Sequence, residues 1–185
     1  MRPEGTSEAG AFKDAGPGRN LELKCRHPNL SDAREAARRL GALPAEVMIQ
    51  TDTYFHASNG RLKLRETEGR PAMLIWYDRS DERQARGSNY HLAPVSDPTS
   101  LKAALGSALG VRGQVRKRRE LHVWHNVRIH LDEVDGIGTL VELEAVLSPT
   151  DNEAGSQARL DRVCEVMGVR QEDILPMSNA DMLGL

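Results

Sequence analysis

The chain has 185 residues, 39% hydrophobic and 28% charged, with a formal net charge of −2. That length suits one domain with a real core, and the near-neutral balance excludes a global field directed at nucleic acid or a membrane surface. Two cysteines, Cys25 and Cys164, exclude a disulfide framework or a zinc thiol spacing, and no apolar run is long enough to span a bilayer.

Residues 1–18 are rich in Gly, Pro, Glu and Ala without an apolar stretch, so they read as a flexible tail rather than a secretory signal. Residues 19–185 read as a single domain, and the free thiols fit the reducing cytoplasm. Asn20–Arg26 alternates as a strand, with Leu21, Leu23 and Cys25 on one face and Asn20, Glu22, Lys24 and Arg26 on the other. Ser31 offers an N-cap to a helix carrying Ala33, Ala36, Ala37 and Leu40 and stopping at Gly41. Gln50–Ala57 is the next strand, and Asn59-Gly60 signals a two-residue hairpin turn. Arg61–Glu66 returns, with Leu62 and Leu64 opposite Arg61, Lys63 and Arg65. Ala72–Asp78 is a strand, Ser80–Gly87 a charged loop and Ser88–Ala93 a short strand.

Pro98 opens a second helix with Leu101, Leu105 and Leu109 on one stripe. Gln114–Trp124 and Val127–Val134 form a hairpin around His125-Asn126. After the turn Asp135-Gly136-Ile137-Gly138 comes the strand Thr139–Leu147, with Val141, Leu143, Ala145 and Leu147 on one face and Glu142 and Glu144 on the other. A third helix carries Leu160, Val163, Cys164 and Met167 and ends at Gly168, and Gln171–Leu185 holds a short helix.

Strand parity carries the functional information. A half-buried strand ordinarily leaves its polar face in water. Here that face carries long charged groups on strand after strand: carboxylates from Glu22, Asp132, Glu142 and Glu144, and cations from Lys24, Arg61, Lys63, Arg65, Lys117, Arg119 and Arg128. An open sheet with a solvated face would explain one such strand. Eight strands can instead close into an antiparallel barrel with helices packed on the apolar outside, an α+β fold whose charges line the interior. Charges of both signs in one lumen suit a polyphosphate with a divalent metal. Arg and Lys neutralise phosphate oxygens, and carboxylates tolerate phosphate only across a cation such as Mg²⁺ or Mn²⁺.

These segments resemble the CYTH superfamily of triphosphate tunnel enzymes. Asn20-Leu-Glu22-Leu-Lys24 is similar to its amino-terminal acidic-basic signature, Arg61-Leu-Lys63-Leu-Arg65-Glu66 to its basic strand, and Lys117-Arg-Arg119 to its later basic pair. His130-Leu-Asp132 through Gly136, Glu142 and Glu144 resembles its acidic hairpin, and the Arg61 and Asp132 segments look closest to class IV adenylate cyclases. The resemblance implies an eight-stranded antiparallel tunnel in which Lys24, Arg65, Lys117 and Arg119 hold a triphosphate, with Arg61, Lys63, Arg79 and Arg128 as further contacts. It implies that Glu22, Asp132, Glu142 and Glu144 hold Mg²⁺ or Mn²⁺. Asn20 replaces the usual first Glu and removes one charge from the metal set. The leading activity is conversion of ATP to cyclic AMP and pyrophosphate. The alternatives are an inorganic or thiamine triphosphatase and a non-catalytic triphosphate or polyphosphate binder. A second copy of the chain is a candidate partner; nucleic acid and membrane are not.

Other features carry less. His122, His125 and His130 straddle a turn with no cysteine beside them, so a structural use outweighs zinc, with His130 alone able to reach the lumen. Trp76 and Trp124 read as exterior packing, and Cys25 as a core thiol. Alternation divides Arg116, Lys117, Arg118 and Arg119 between two faces, which argues against a nucleic-acid patch.

Overall fold

In the computed structural model, which describes residues 16–148 and 152–185, eight strands close into one antiparallel barrel in the order β1-β5-β4-β3-β2-β6-β7-β8. They are β1 (Gly16–Arg26), β2 (Leu43–Phe55), β3 (Arg61–Thr67), β4 (Ala72–Arg79), β5 (Arg86–Val95), β6 (Val111–Trp124), β7 (Val127–Val134) and β8 (Gly138–Leu147). The helices are α1 (Leu30–Arg39), α2 (Pro98–Leu109), α3 (Glu153–Met167) and the short α4 (Asn179–Met182). The closed barrel expected from parity is the fold, and closure leaves no unpaired sheet edge. Among the described residues no helix is long and apolar enough to cross a membrane.

The main core lies outside the barrel. Leu21, Leu23 and Cys25 of β1, Ile129 and Leu131 of β7, and Val141, Leu143 and Ala145 of β8 pack against Ala33, Ala36 and Ala37 of α1 and Leu160, Val163 and Met167 of α3. The small alanine face lets α1 lie close on the sheet. Its ends follow from its sequence: Asn29 accepts the Ser31 N–H at 2.9 Å, Asp32 sits in the first turn, and Arg38 and Arg39 sit in the last. α3 ends on Gly168 in the left-handed region at φ 66°. Phe55, Leu64 and Ala72 form a smaller core beneath Leu101 and Leu105 of α2. A third cluster lies on the lumen side: Tyr54, Val115, Val134 and Leu140 meet Ala180 of α4 and the terminal Leu183 and Leu185. The carboxy-terminal segment thereby closes one end of the barrel.

Several local expectations change. Residues 16–18, assigned to the tail, already pair with β5, while 1–15 lie outside the described residues. β2 begins at Leu43 rather than Gln50, and β5 at Arg86 inside the expected loop. Asn29, not Ser31, caps α1. Residues 56–60 form a longer loop than the expected two-residue turn. Gly60 holds φ 64°, and a Cβ there would sit 2.7 Å from the Tyr77 carbonyl oxygen. The β6–β7 turn does have two residues, with His125 at φ 52°. The leucine stripe of α2 is only partly covered: Leu101 and Leu105 pack on the small core, but no α2 residue is fully buried and Leu109 is 40% exposed. The final segment holds a 3₁₀ turn (Gln171–Asp173) and an Ile174 bridge to Cys25 before α4.

Candidate functional site

Residues opposite one another across a ladder share a face, so the registers decide which charges meet. Glu22 lies opposite Glu144 and Arg86, and Lys24 opposite Glu142. Asp52 lies opposite Arg65, and Tyr54 opposite Lys63. Arg119 faces Asp132, while Arg128 faces Glu144 and His130 faces Glu142. All these side chains turn into the lumen. A cavity of about 160 Å³ there is lined by the charged Glu22, Lys24, Lys63, Arg65, Arg79, Lys117, Arg119, Arg128, Glu142 and Glu144, with Asn20 among them. Apolar and aromatic residues complete the lining: Tyr54, Met73, Ile75, Tyr77, Tyr90 and Leu92, with Lys63 directly opposite Tyr54 and Ile75.

Ion pairs hold many of the lumen charges. Arg119 donates to both oxygens of Asp132 at 2.7 and 2.6 Å and to Glu142 at 2.6 Å, with Lys117 3.8 Å from Asp132. Asp52 accepts two bonds from Arg65, each 2.7 Å, and one from Lys63 at 2.9 Å. Glu22 pairs with Arg79 at 3.0 Å. Lys24 donates to Asn179 at 2.7 Å, which ties the first strand to α4.

Burial and neighbours set the charge states. Burial, reinforced by Glu142, pushes Glu22 up to about 7. Burial and the adjacent Arg119 bring Lys117 down to about 7. The same two causes lower His130 to about 4, so its ring is neutral at pH 7. Burial disfavours ionised Asp132, but Arg119 and Lys117 prevail and hold it at about 2. Burial likewise opposes charge on Glu142 and Asp52. Lys24 and Arg119 overcome it for Glu142, and Arg65 and Lys63 for Asp52, leaving both carboxyls well below their usual range.

Among the described residues, some buried polar atoms have no hydrogen-bond partner. Nε and one terminal nitrogen of Arg86 are such donors, and Asn20 Oδ1 and His130 Nδ1 lack partners as well. Unpaired buried polar atoms are costly, and in a charged lumen they mark where a ligand completes the bonding. The Nε of Arg86 faces Glu22 Oε1 at 3.9 Å, an ion pair too long for a hydrogen bond. Asn20 Oδ1, and the lone pair that a neutral imidazole offers, suit a cation, and one ligand atom each from His130, Glu142 and Glu144 lie within 4.8 Å of one another. The donor set therefore fits a divalent metal.

A family model described as the CYTH domain matches residues 18–169. The chain belongs to the CYTH family. Its barrel resembles the PH1012 protein of Pyrococcus horikoshii OT3, at TM-score 0.77 and 24% identity over 88% of this chain and 98% of that one. A candidate adenylate cyclase of Vibrio parahaemolyticus superposes at TM-score 0.68 and 18% identity, covering 91% of this chain and 99% of its own. HpAC1 of Hippeastrum, a candidate adenylyl cyclase with a dominant triphosphatase activity, gives TM-score 0.62 and 13% identity over 90% of this chain and 93% of its own. At these identities the likeness is one of fold. No curated protein matches the sequence.

Against the CYTH expectation, the lumen gathers Glu22, Lys24, Lys63, Arg65, Arg79, Lys117, Arg119, Arg128, Glu142 and Glu144 around one cavity. Arg61 stands apart, held by Asp81 at 2.7 Å and Asp181 at 3.2 Å. Asp132 is fully buried behind Arg119 and does not line the cavity. Tyr77 lines the cavity, and Asp52 and Arg86 belong to the lumen without having been singled out. Asp52 could have been found by its parity, because Gln50, Asp52 and Tyr54 alternate with Thr51, Thr53 and Phe55. Trp76 faces outward and donates to the Asn59 carbonyl. His122 pairs with Glu120 on the outer face, and only His130 of that trio turns inward. Arg116 and Arg118 pair with Glu68 and Glu133 on the outer surface, as alternation requires.

Proposed function

We propose that this CYTH barrel is a metal-dependent enzyme acting on a nucleoside triphosphate, converting ATP to cyclic AMP and pyrophosphate. The observation that carries the reading is a single cavity lined by both cationic and aromatic side chains. Lys24, Lys63, Arg65, Arg79, Lys117, Arg119 and Arg128 outnumber the carboxylates of its lining, although the whole chain is slightly acidic. That excess matches a triphosphate. The aromatic and aliphatic residues of the same lining match a base and ribose, which inorganic triphosphate would leave uncovered.

In this reading Lys117 and Arg119, with Lys24, Lys63, Arg65 and Arg79, hold the phosphate chain and take up charge on the leaving group. Glu142 and Glu144, supported by Glu22 and Asp132, would hold Mg²⁺ or Mn²⁺, which when bound neutralises phosphate charge and acidifies the attacking hydroxyl. The ribose 3′ oxygen attacks the α-phosphorus, the bond to the bridging oxygen breaks, and pyrophosphate leaves. No side-chain nucleophile is required. Hydrolysis of inorganic or thiamine triphosphate is the second reading, favoured by the same cationic clamp, which can hold a terminal phosphorus for attack by water.

Chromatography of products from ATP, GTP, thiamine triphosphate and inorganic triphosphate with Mg²⁺ and Mn²⁺ separates these. Cyclic AMP from ATP is the expected outcome. Phosphate release without cyclic nucleotide would replace cyclisation with hydrolysis, and tight binding without turnover across the metals would leave a triphosphate-binding protein. Asn20 supplies a related prediction. It is buried with an unpaired Oδ1, so Asn20→Glu should restore a charged metal ligand and raise turnover roughly ten-fold at subsaturating Mg²⁺. An Mg²⁺ titration indistinguishable from the parent's would show that position 20 does not limit metal binding.

A further inference from the structure

The trio His130, Glu142 and Glu144 has a composition that carboxylates alone do not explain. His130 and Glu142 are direct neighbours across the β7–β8 ladder, and Nδ1 of His130 lies 3.9 Å from Glu144 Oε1. That separation is too long for a hydrogen bond and is set by two strands whose outer faces sit in the main core. The imidazole is 5% exposed, and its Nδ1 has no hydrogen-bond partner among the described residues. Buried His122 also leaves Nδ1 without a hydrogen bond, but it lies on the outer face with Nε2 2.7 Å from Glu120. His130 instead turns inward, with a ring nitrogen within 4.8 Å of an oxygen of both Glu142 and Glu144.

We propose that His130 is a direct nitrogen ligand in the lumen metal site, and that it biases this barrel toward a divalent transition ion over Mg²⁺. The inference rests on the metal-dependent reading above and deepens it by naming the class of ion. Mg²⁺ demands near-octahedral oxygen coordination and gains little from imidazole. Transition ions accept imidazole together with carboxylate, and neutral imidazole is the commonest protein metal ligand. Asn20, with its unpaired carbonyl oxygen on the adjoining wall, supplies no charge to that site. The nitrogen of His130 offsets the carboxylate that position 20 lacks, and it does so selectively for ions that bind nitrogen.

The test uses Mn²⁺ alone with the full chain and pulsed electron paramagnetic resonance. Bound Mn²⁺ should show coupling to one ¹⁴N nucleus, changing to the ¹⁵N pattern when only histidine is ¹⁵N-labelled. His130→Asn should abolish that coupling and weaken Mn²⁺ binding by at least about ten-fold, while Mg²⁺ affinity, read by competition, changes less than about three-fold. Circular dichroism confirms that the variant folds; if it does not, the labelled parent protein still decides the point. Mn²⁺ bound without nitrogen coupling, coupling that survives in the variant, or no Mn²⁺ binding would overturn the assignment. Calorimetric titration of inorganic triphosphate into metal-free protein runs in parallel. Triphosphate binding without nitrogen coupling removes His130 and leaves the functional reading. Nitrogen coupling without triphosphate binding does the reverse.

Discussion

Replacing Arg119 by Met should lower triphosphate turnover roughly 10²–10³-fold, the scale of losing a group that stabilises developing charge. It should also destabilise the fold by about 3–5 kcal/mol, because it breaks a buried ion pair from one side. Arg119 is buried and engages both oxygens of Asp132 as well as Glu142. Its removal leaves Asp132, itself fully buried, with only Lys117 3.8 Å away. The two effects separate in a double variant. Arg119→Met with Asp132→Leu replaces the pair by apolar groups of similar volume, a change that is often neutral for stability. Urea unfolding should therefore show most of the lost stability regained, while turnover stays at the single variant's level or below. If the double variant recovers activity, Arg119 serves Asp132 rather than a ligand, and the phosphate clamp must be drawn without it.

That pair also shows what a strand pattern reveals. Lys117, Arg119, Asp132, Glu142 and Glu144 fall on one parity within their strands, so closure of the sheet was enough to bring them together. Alternation is a local property and survives without tertiary information. The parts that were illegible depend on contacts distant in sequence. Leu43–Ile49 alternates, but its apolar residues do not mark a buried face: Leu43 is 72% exposed and Val47 56%, while Met48 on the other parity is buried. Arg86 sits in what reads as a charged loop and becomes a lumen residue only because β5 pairs with β1 opposite Glu22. Ser178 and Asn179 look like tail residues until α4 turns back on the barrel, where Asn179 accepts from Lys24. The cap of α1 was misplaced by two residues because Asn29 and Ser31 are both competent N-caps, and the chain path decides between them.

The ligand-free barrel should become more stable as pH rises from about 7 to about 9.5, at up to about 1.4 kcal/mol per pH unit for one proton. Lys117 is the cause. Unfolded, it titrates near 10.5; in the barrel, burial and Arg119 bring it to about 7. Below pH 7 both states are charged, and the folded state carries the whole cost of burying the ammonium. Through the window the unfolded chain keeps a proton that the folded one has lost, so stability rises with pH. Lys24 is shifted the same way, mainly by burial. Glu22, raised from 4.5 to about 7, and His130, lowered from 6.5 to about 4, act in opposite senses below pH 7 and largely offset each other. Above pH 10 the buried Tyr54 and Tyr77, held above their usual range, reverse the trend. Chemical denaturation at stepped pH should show the rise in the parent and a flatter profile in Lys117→Met. Saturating inorganic triphosphate should flatten it too, because phosphate charge beside Lys117 returns its proton. An equal slope with and without Lys117 would assign the titration elsewhere. A slope that disappears with both the substitution and the ligand would mean that a lysine costly to bury charged is one whose charge the ligand requires. Stability would then have been given up at the position where an anion restores it.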